Sequence, residues 1–215
     1  MPSATASTEV KHDAAGVLHE LLTAAAGREL PEWPRVQAAI KVRELMPGAV
    51  LFRQGDVHPV VYAVNYGLLK LCYLGDDGSE WVKSFAYEGR YFASVAALQP
   101  GGVAAFTVSA IEPSRVERID YALLTSLATQ HLPWALALQA MTMQFAVRKE
   151  RRERELLTLT PEQRYLAFRA ELPHLVARIP QKDLARFFGI TPVGLNRIVM
   201  RIRRRESGAG CKVTT

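Results

Sequence analysis

Only two cysteines occur among the 215 residues, Cys72 and Cys211, and they form no CxxC pair. That excludes a disulfide framework and any four-cysteine zinc or iron–sulfur site supplied by one chain. A reducing, cytoplasmic setting suits such a composition. Met1 to Lys11 shows no positive region followed by an apolar stretch, so no secretory signal is expected. Paired carboxylates, a nucleophile elbow, a metal cluster and a phosphate-binding loop are all missing as motifs, so no enzymatic activity is expected. One long run lacks charge altogether, from Tyr121 to Val147. It is long enough to cross a bilayer. Yet Pro133 interrupts it, and Thr125, Ser126, Thr129, Gln130, His131, Gln139, Thr142 and Gln144 would be costly in hydrocarbon. It reads as a helix buried in a protein interface, and no membrane partner is expected.

What is present is unevenly spread. The net charge is +6, but residues 1–147 carry a balance of −3 and residues 148–206 a balance of +8. A near-neutral front and a basic back suggest a sensing or scaffolding part joined to a part that binds a polyanion. With 49% hydrophobic residues the chain can bury a real core as one large domain or two small ones.

From Val42 to about Ile119 the apolar residues alternate with period two. Strands are expected at Val60–Val64, Leu68–Leu74, Glu80–Phe85, Phe106–Ile111 and Arg115–Ile119. Tyr66-Gly67 and Glu112-Pro113-Ser114 break the pattern, and Gly75-Asp76-Asp77-Gly78 is a strong hairpin turn. Many short, evenly spaced strands point to a sandwich or barrel. A helix is expected before them at Ala14–Ala26, with Leu18, Leu21 and Leu22 on one face. Trp33-Pro34 and Met46-Pro47-Gly48 mark turns.

After Asp120 the period becomes helical. Leu123, Leu127, Trp134, Leu138, Met141 and Phe145 fall at spacings of four, seven, four, three and four. Such a stripe packs against a partner helix or against the chain's own core. A dimer seam is the favoured expectation. The mixed-sign run Arg148–Glu155 reads as a solvated helix face. Thr160-Pro161 opens another helix, expected to reach about Leu172.

Gln181 to Met200 carries the strongest signal. Counted from one to twenty, position five is the small Ala185, where two helices cross closely. Position nine is Gly189, where the turn needs a left-handed residue. Positions four, eight, ten, fifteen and eighteen are Leu184, Phe188, Ile190, Leu195 and Ile198, all apolar. Thr191-Pro192 supplies an N-cap and a first residue for the second helix. This is the pattern of a helix-turn-helix. Its second helix offers Thr191, Pro192, Val193, Asn196, Arg197, Arg201, Arg203 and Arg204 as candidate DNA contacts, with Arg197 placed to reach base edges and the later arginines to touch phosphates.

Taken together, these residues resemble the superfamily of the cyclic AMP receptor protein and the fumarate–nitrate reduction regulator (CRP/FNR). The resemblance runs from about Leu45 to Arg203. Its carriers are Leu51-Phe52-Arg53-Gln54-Gly55-Asp56, Val61-Tyr62-Ala63-Val64 with Gly67, the Asp77-Gly78 hairpin, the long central helix, and Ile179 to Arg197. It implies an α+β chain: a cyclic-nucleotide-binding-like β-roll (a double-stranded jelly roll) in residues 1–120, a dimerisation helix in 121–155, and a winged helix-turn-helix in 156–215. It also implies a homodimer on near-palindromic double-stranded DNA that recruits or blocks RNA polymerase.

The departures are informative. Nucleotide-binding members of the family place glycine and glutamate after a phenylalanine, then an arginine–serine pair. The matching positions of the expected effector pocket are Phe92-Ala93-Ser94 and Ala104-Ala105. A cyclic phosphate buried without a cation is poorly stabilised, so neither cyclic AMP nor cyclic GMP is expected as a cofactor. His58, Cys72 and His131 could in principle ligate haem, but isolated histidines are far more often ordinary surface or core residues. The family's first two recognition residues, arginine and glutamate, are replaced by Pro192 and Val193, while its later arginine is matched by Arg197. The wing is expected to be truncated, with Cys211–Thr215 as its only available strand. The competing reading is a ligand-binding or adaptor protein whose working part is the β-roll.

Overall fold

The structure is a computed structural model describing residues 16–209. Two short helices lead, α1 (Val17–Ala26) and α2 (Trp33–Ala39). Eight strands follow: β1 (Lys41–Leu45), β2 (Val50–Phe52), β3 (Val60–Tyr66), β4 (Leu68–Leu74), β5 (Glu80–Tyr87), β6 (Tyr91–Phe92), β7 (Thr107–Ala110) and β8 (Ser114–Asp120). They pair antiparallel into two four-stranded sheets, β1-β8-β3-β6 and β2-β7-β4-β5. This is the expected β-roll. The five expected strands are all present, while β1, β2 and β6 are further short ones. Trp33-Pro34, expected as a turn, instead opens α2, where a proline in the first turn costs no hydrogen bond.

Alternation decides what fills the roll. Phe52, Tyr62, Leu69, Leu71, Phe92 and Phe106 turn inward into one buried cluster. Tyr62 stacks between Phe52 and Phe92, with ring centroids 6.0 and 5.2 Å away. The β3–β4 corner is closed by Gly67, whose φ of 98° suits glycine. A Cβ there would also stand 2.5 Å from the Ser114 Cα. The Ser114 hydroxyl accepts the Leu68 N–H at 3.1 Å, completing the corner.

Strand β8 is anchored at its middle as well. Glu117 is buried, and its carboxylate accepts the N–H groups of Val17 and Leu18 at 3.2 and 2.8 Å. Asn65 donates to it at 2.7 Å. An acid at the start of a helix satisfies orphan N–H donors and meets the positive end of the helix dipole. It fixes α1 to the β1-β8-β3-β6 sheet.

The expected single central helix is two, α3 (Tyr121–Gln130) and α4 (Leu132–Thr158). The break falls at His131, which is extended at φ −135°, just before Pro133. Its interface stripe is corrected by the fold. Leu127, Trp134, Leu138 and Met141 are buried within the single chain, packed with Leu18 and Leu22 of α1 and Val61 of β3. Leu123 and Phe145 lie partly buried against the same cluster. Trp134 donates its indole N–H to the Pro31 carbonyl at 2.8 Å and stacks on Trp33. Trp134 and Met141 are thus covered within the chain, whereas Leu138, 9% exposed, also borders a groove on the outer side of α4.

Helix α5 (Pro161–Glu171) begins with a reciprocal capping box between Thr160 and Gln163. A single turn, α6 (Pro173–Val176), leads to α7 (Gln181–Phe188) and α8 (Pro192–Ala209). The wing expected at Cys211–Thr215 lies outside the described residues. No helix among the described residues is long and apolar enough to cross a membrane.

Candidate nucleic-acid interface

Helix α7 ends at Gly189, whose φ of 70° and ψ of 34° place it in the left-handed region that favours glycine. The chain then turns, and the Ile190 N–H donates to the Ala185 carbonyl at 3.1 Å. Thr191 caps α8, its hydroxyl accepting the Gly194 N–H at 3.1 Å. Ala185 is fully buried at the crossing, together with Leu184, Phe188, Leu195 and Ile198. Ile190 is only half-buried. Val199 and Ile202 extend the buried side of α8, which the sequence pattern did not single out.

At 100° per residue, the buried positions Leu195, Ile198, Val199 and Ile202 define one side of α8. The opposite crest is Val193, Arg197, Met200 and Arg204, flanked by Asn196 and Arg203 on one side and Arg201 on the other. Thr191, Pro192, Val193, Asn196, Arg197, Arg201, Arg203 and Arg204 are all exposed. Not all are equally available. Arg201 and Arg205 both donate at 2.7 Å to the Glu162 carboxylate of α5. Arg197 and Arg204 pair with no carboxylate among the described residues.

Helix α7 docks on the outer face of β4 and β5. Lys70 lies 3.3 Å from both Glu80 and Asp183, and Arg186 pairs with the same two acids. Arg178 binds Glu88 at 2.7 Å and also Glu112. Burial would raise the Glu88 carboxyl, but the hydrogen bonds from Arg178 and the Gly67 N–H hold it below the usual range. Phe85 of β5 packs on Phe187 and Phe168, and the Arg152 guanidinium sits 3.9 Å from the Phe187 ring centroid. Arg152 therefore leaves the solvated face expected for the Arg148–Glu155 run.

The expected effector-pocket residues come together in space. Ser94 is buried and its hydroxyl accepts the Ala105 N–H at 2.9 Å. Phe92, Ala93 and Ala104 are buried around it, and Ala105 is exposed. Two arginines of the roll are engaged elsewhere. Arg90 donates to the Tyr87 hydroxyl at 2.8 and 3.0 Å, and Arg115 lies 3.5 Å from Glu44. The cation that sequence reasoning missed is Lys83, 4.9 Å from the centroid of the Phe106 ring. Burial lowers its pKa, and the charges of Arg148 and Lys149 lower it further. Of the residues considered for haem, His58 bonds Tyr62 at 2.7 Å, Cys72 is buried, and His131 bonds Glu32 at 2.9 Å. No group of three or more metal-ligating side chains occurs among the described residues.

Residues 42–131 match the cyclic nucleotide-binding domain family. Among solved structures, the chain is similar to FixK2 from Bradyrhizobium japonicum, at 18% identity and a TM-score of 0.70 over 78% of this chain and 86% of that one. It is also similar to the c-di-GMP-responsive global regulator CLP of Xanthomonas campestris, at 19% identity and a TM-score of 0.61 over 81% and 91%. The Thermus thermophilus catabolite activator protein matches at 20% identity and a TM-score of 0.53 over 86% and 88%. The chain shares the fold of these three proteins. Comparison with curated proteins gives no match. Within this fold the helix-turn-helix and the β-roll meet along β4 and β5, and α4 touches both, with Arg148 over the Tyr91 ring and Arg152 over the Phe187 ring.

Proposed function

We propose that this chain is a dimeric, sequence-specific DNA-binding transcription regulator of the CRP/FNR kind. Residues 1–120 form its sensor, 121–155 its pairing segment and 156–215 its reading head. The observation that carries this reading is the crest of α8, which presents Arg197 and Arg204, unpaired among the described residues, on the face opposite the buried one. Helix N-terminal residues would enter the major groove, with Arg197 on a base edge and Arg203 and Arg204 on phosphates. Two heads would lie about 34 Å apart on a near-palindrome and act by recruiting or blocking RNA polymerase.

Pairing uses the outer face of α4, since its inner stripe is filled. Leu138, Gln139, Thr142, Met143 and Ala146 line a shallow apolar groove there, with Met143 59% and Val147 54% exposed. A second copy of the chain is its occupant, because a near-palindrome requires two heads. Cyclic AMP is not the trigger. The aromatic stack fills the roll, and the positions of the phosphate cassette carry Ser94, Ala104 and Ala105 instead of an arginine.

The test is to incubate the purified protein with pooled genomic fragments, with and without cyclic AMP, and sequence those retained. Enrichment of one near-palindrome in both conditions is the expected result. Enrichment only with cyclic AMP would overturn the reading of the pocket. No selective enrichment in either would favour the adaptor reading, in which the β-roll is the working part.

A further inference from the structure

We propose that Val193 reads the methyl group of a thymine in each half-site, one or two base pairs from the guanine read by Arg197. This rests on the DNA-reading function proposed above and specifies the bases involved.

Val193 is 63% exposed at the start of α8, and nothing in its own fold covers it. Valine is a mediocre helix former, so neither packing nor propensity accounts for it at that position. It shares the outward crest with Arg197 one turn on and with Met200, itself 44% exposed, two turns on. An isolated exposed valine needs no explanation. Here, however, the apolar side chain sits inside the cationic stripe, on the first turn of the helix, the part that enters deepest into the groove.

The chemistry then selects the base. Valine offers no donor and no acceptor, so against the amino group of adenine or cytosine it would cover a donor that water otherwise satisfies. Guanine presents two acceptors, which are likewise left unpaired. Thymine alone presents a methyl group in the major groove. The axial separation of Val193 and Arg197 is about 6 Å at 1.5 Å per residue. At 3.4 Å per base pair that places their contacts within about two base pairs. Thr191 sets the entry: its hydroxyl accepts the Gly194 N–H at 3.1 Å and holds the first turn, and a Cβ at Gly194 would press on that hydroxyl at 3.3 Å.

The experiment first selects a preferred site from random DNA with the full chain, then replaces each thymine of a half-site by deoxyuridine, which removes only the 5-methyl group. Wild-type protein should lose about fourfold in affinity at one thymine per half-site, and about fifteenfold when both half-sites are changed. In Val193→Ala the same replacement should cost less than twofold, while its Met200→Ala counterpart should keep the full loss. Wild-type binding that is indifferent to every thymine methyl overturns the proposal, as does an undiminished loss in Val193→Ala. Either result leaves the DNA-reading function standing. Failure to select any site overturns that function and this inference with it.

Discussion

Basic residues occupy two settings in this molecule, and the two are built in opposite ways. At the junction of α7 with β4 and β5, Lys70, Arg178 and Arg186 are matched by Glu80, Glu88, Glu112 and Asp183. On the crest of α8, Arg197 and Arg204 meet no carboxylate among the described residues. A paired cation orients one element on another and exerts little pull at a distance. An unpaired one on an exposed helix remains available to a polyanion. The formal +8 of residues 148–206 therefore overstates the attractive surface. Arg151, Arg169, Arg178, Arg186, Arg201 and Arg205 are all engaged by the chain's own acids.

If the contrast holds, interior contacts report in stability and the crest reports only in binding. The largest effect is expected for Trp134→Ala, about 4 kcal/mol of unfolding free energy by denaturant titration. Lost self-association with unchanged stability would instead return Trp134 to a dimer seam. Next comes Asp183→Ala, which strips Lys70 and Arg186 of a buried acceptor and should cost about 2–3 kcal/mol. Stability unchanged in that variant would mean that Glu80 alone satisfies Lys70 and Arg186 at the junction.

Arg197→Ala should leave unfolding within about 0.5 kcal/mol of wild type while weakening the selected DNA site about 10- to 100-fold. Equal losses on selected and random DNA would remove its base-reading role. A smaller change is expected for Arg204→Ala: a slope of log affinity against log salt shallower by about one, alike on any sequence. Smallest is Lys83→Met, a gain of about 0.5–1 kcal/mol. Because its folded pKa is lowered, charged Lys83 disfavours the fold below that pKa and is relieved as the pH rises through it. The gain should therefore fade in alkaline buffer, and a gain independent of pH would point to packing.

The helix-turn-helix was legible because each constraint there is local: a small residue at a crossing, a left-handed glycine, a threonine cap, apolar positions one turn apart. The strands around Asp77-Gly78 were legible for the same reason. The stripe on α4 was legible as a face but not as to what covers it, since Trp134, Leu138 and Met141 have the same spacing whether α1 or another copy packs on them. Strands β1, β2 and β6 have two to five residues, too few for a period to show. Lys83 was missed because a bulge intervenes. Leu71 pairs with Ser84 and Cys72 with Val82, which leaves Lys83 without a partner of its own and beside Phe106. No residue type announces that extra step.

Strand β8 ties together parts of the molecule that are far apart along the chain. Within seven residues it closes the β3–β4 corner through Ser114, holds the start of α1 through Glu117, and runs directly into α3 at Asp120. Opening it would release three regions at once, so it should be the last strand to come apart and the slowest to exchange its amide protons with solvent. In folding terms, β8 is the keel on which the front half of the chain is laid.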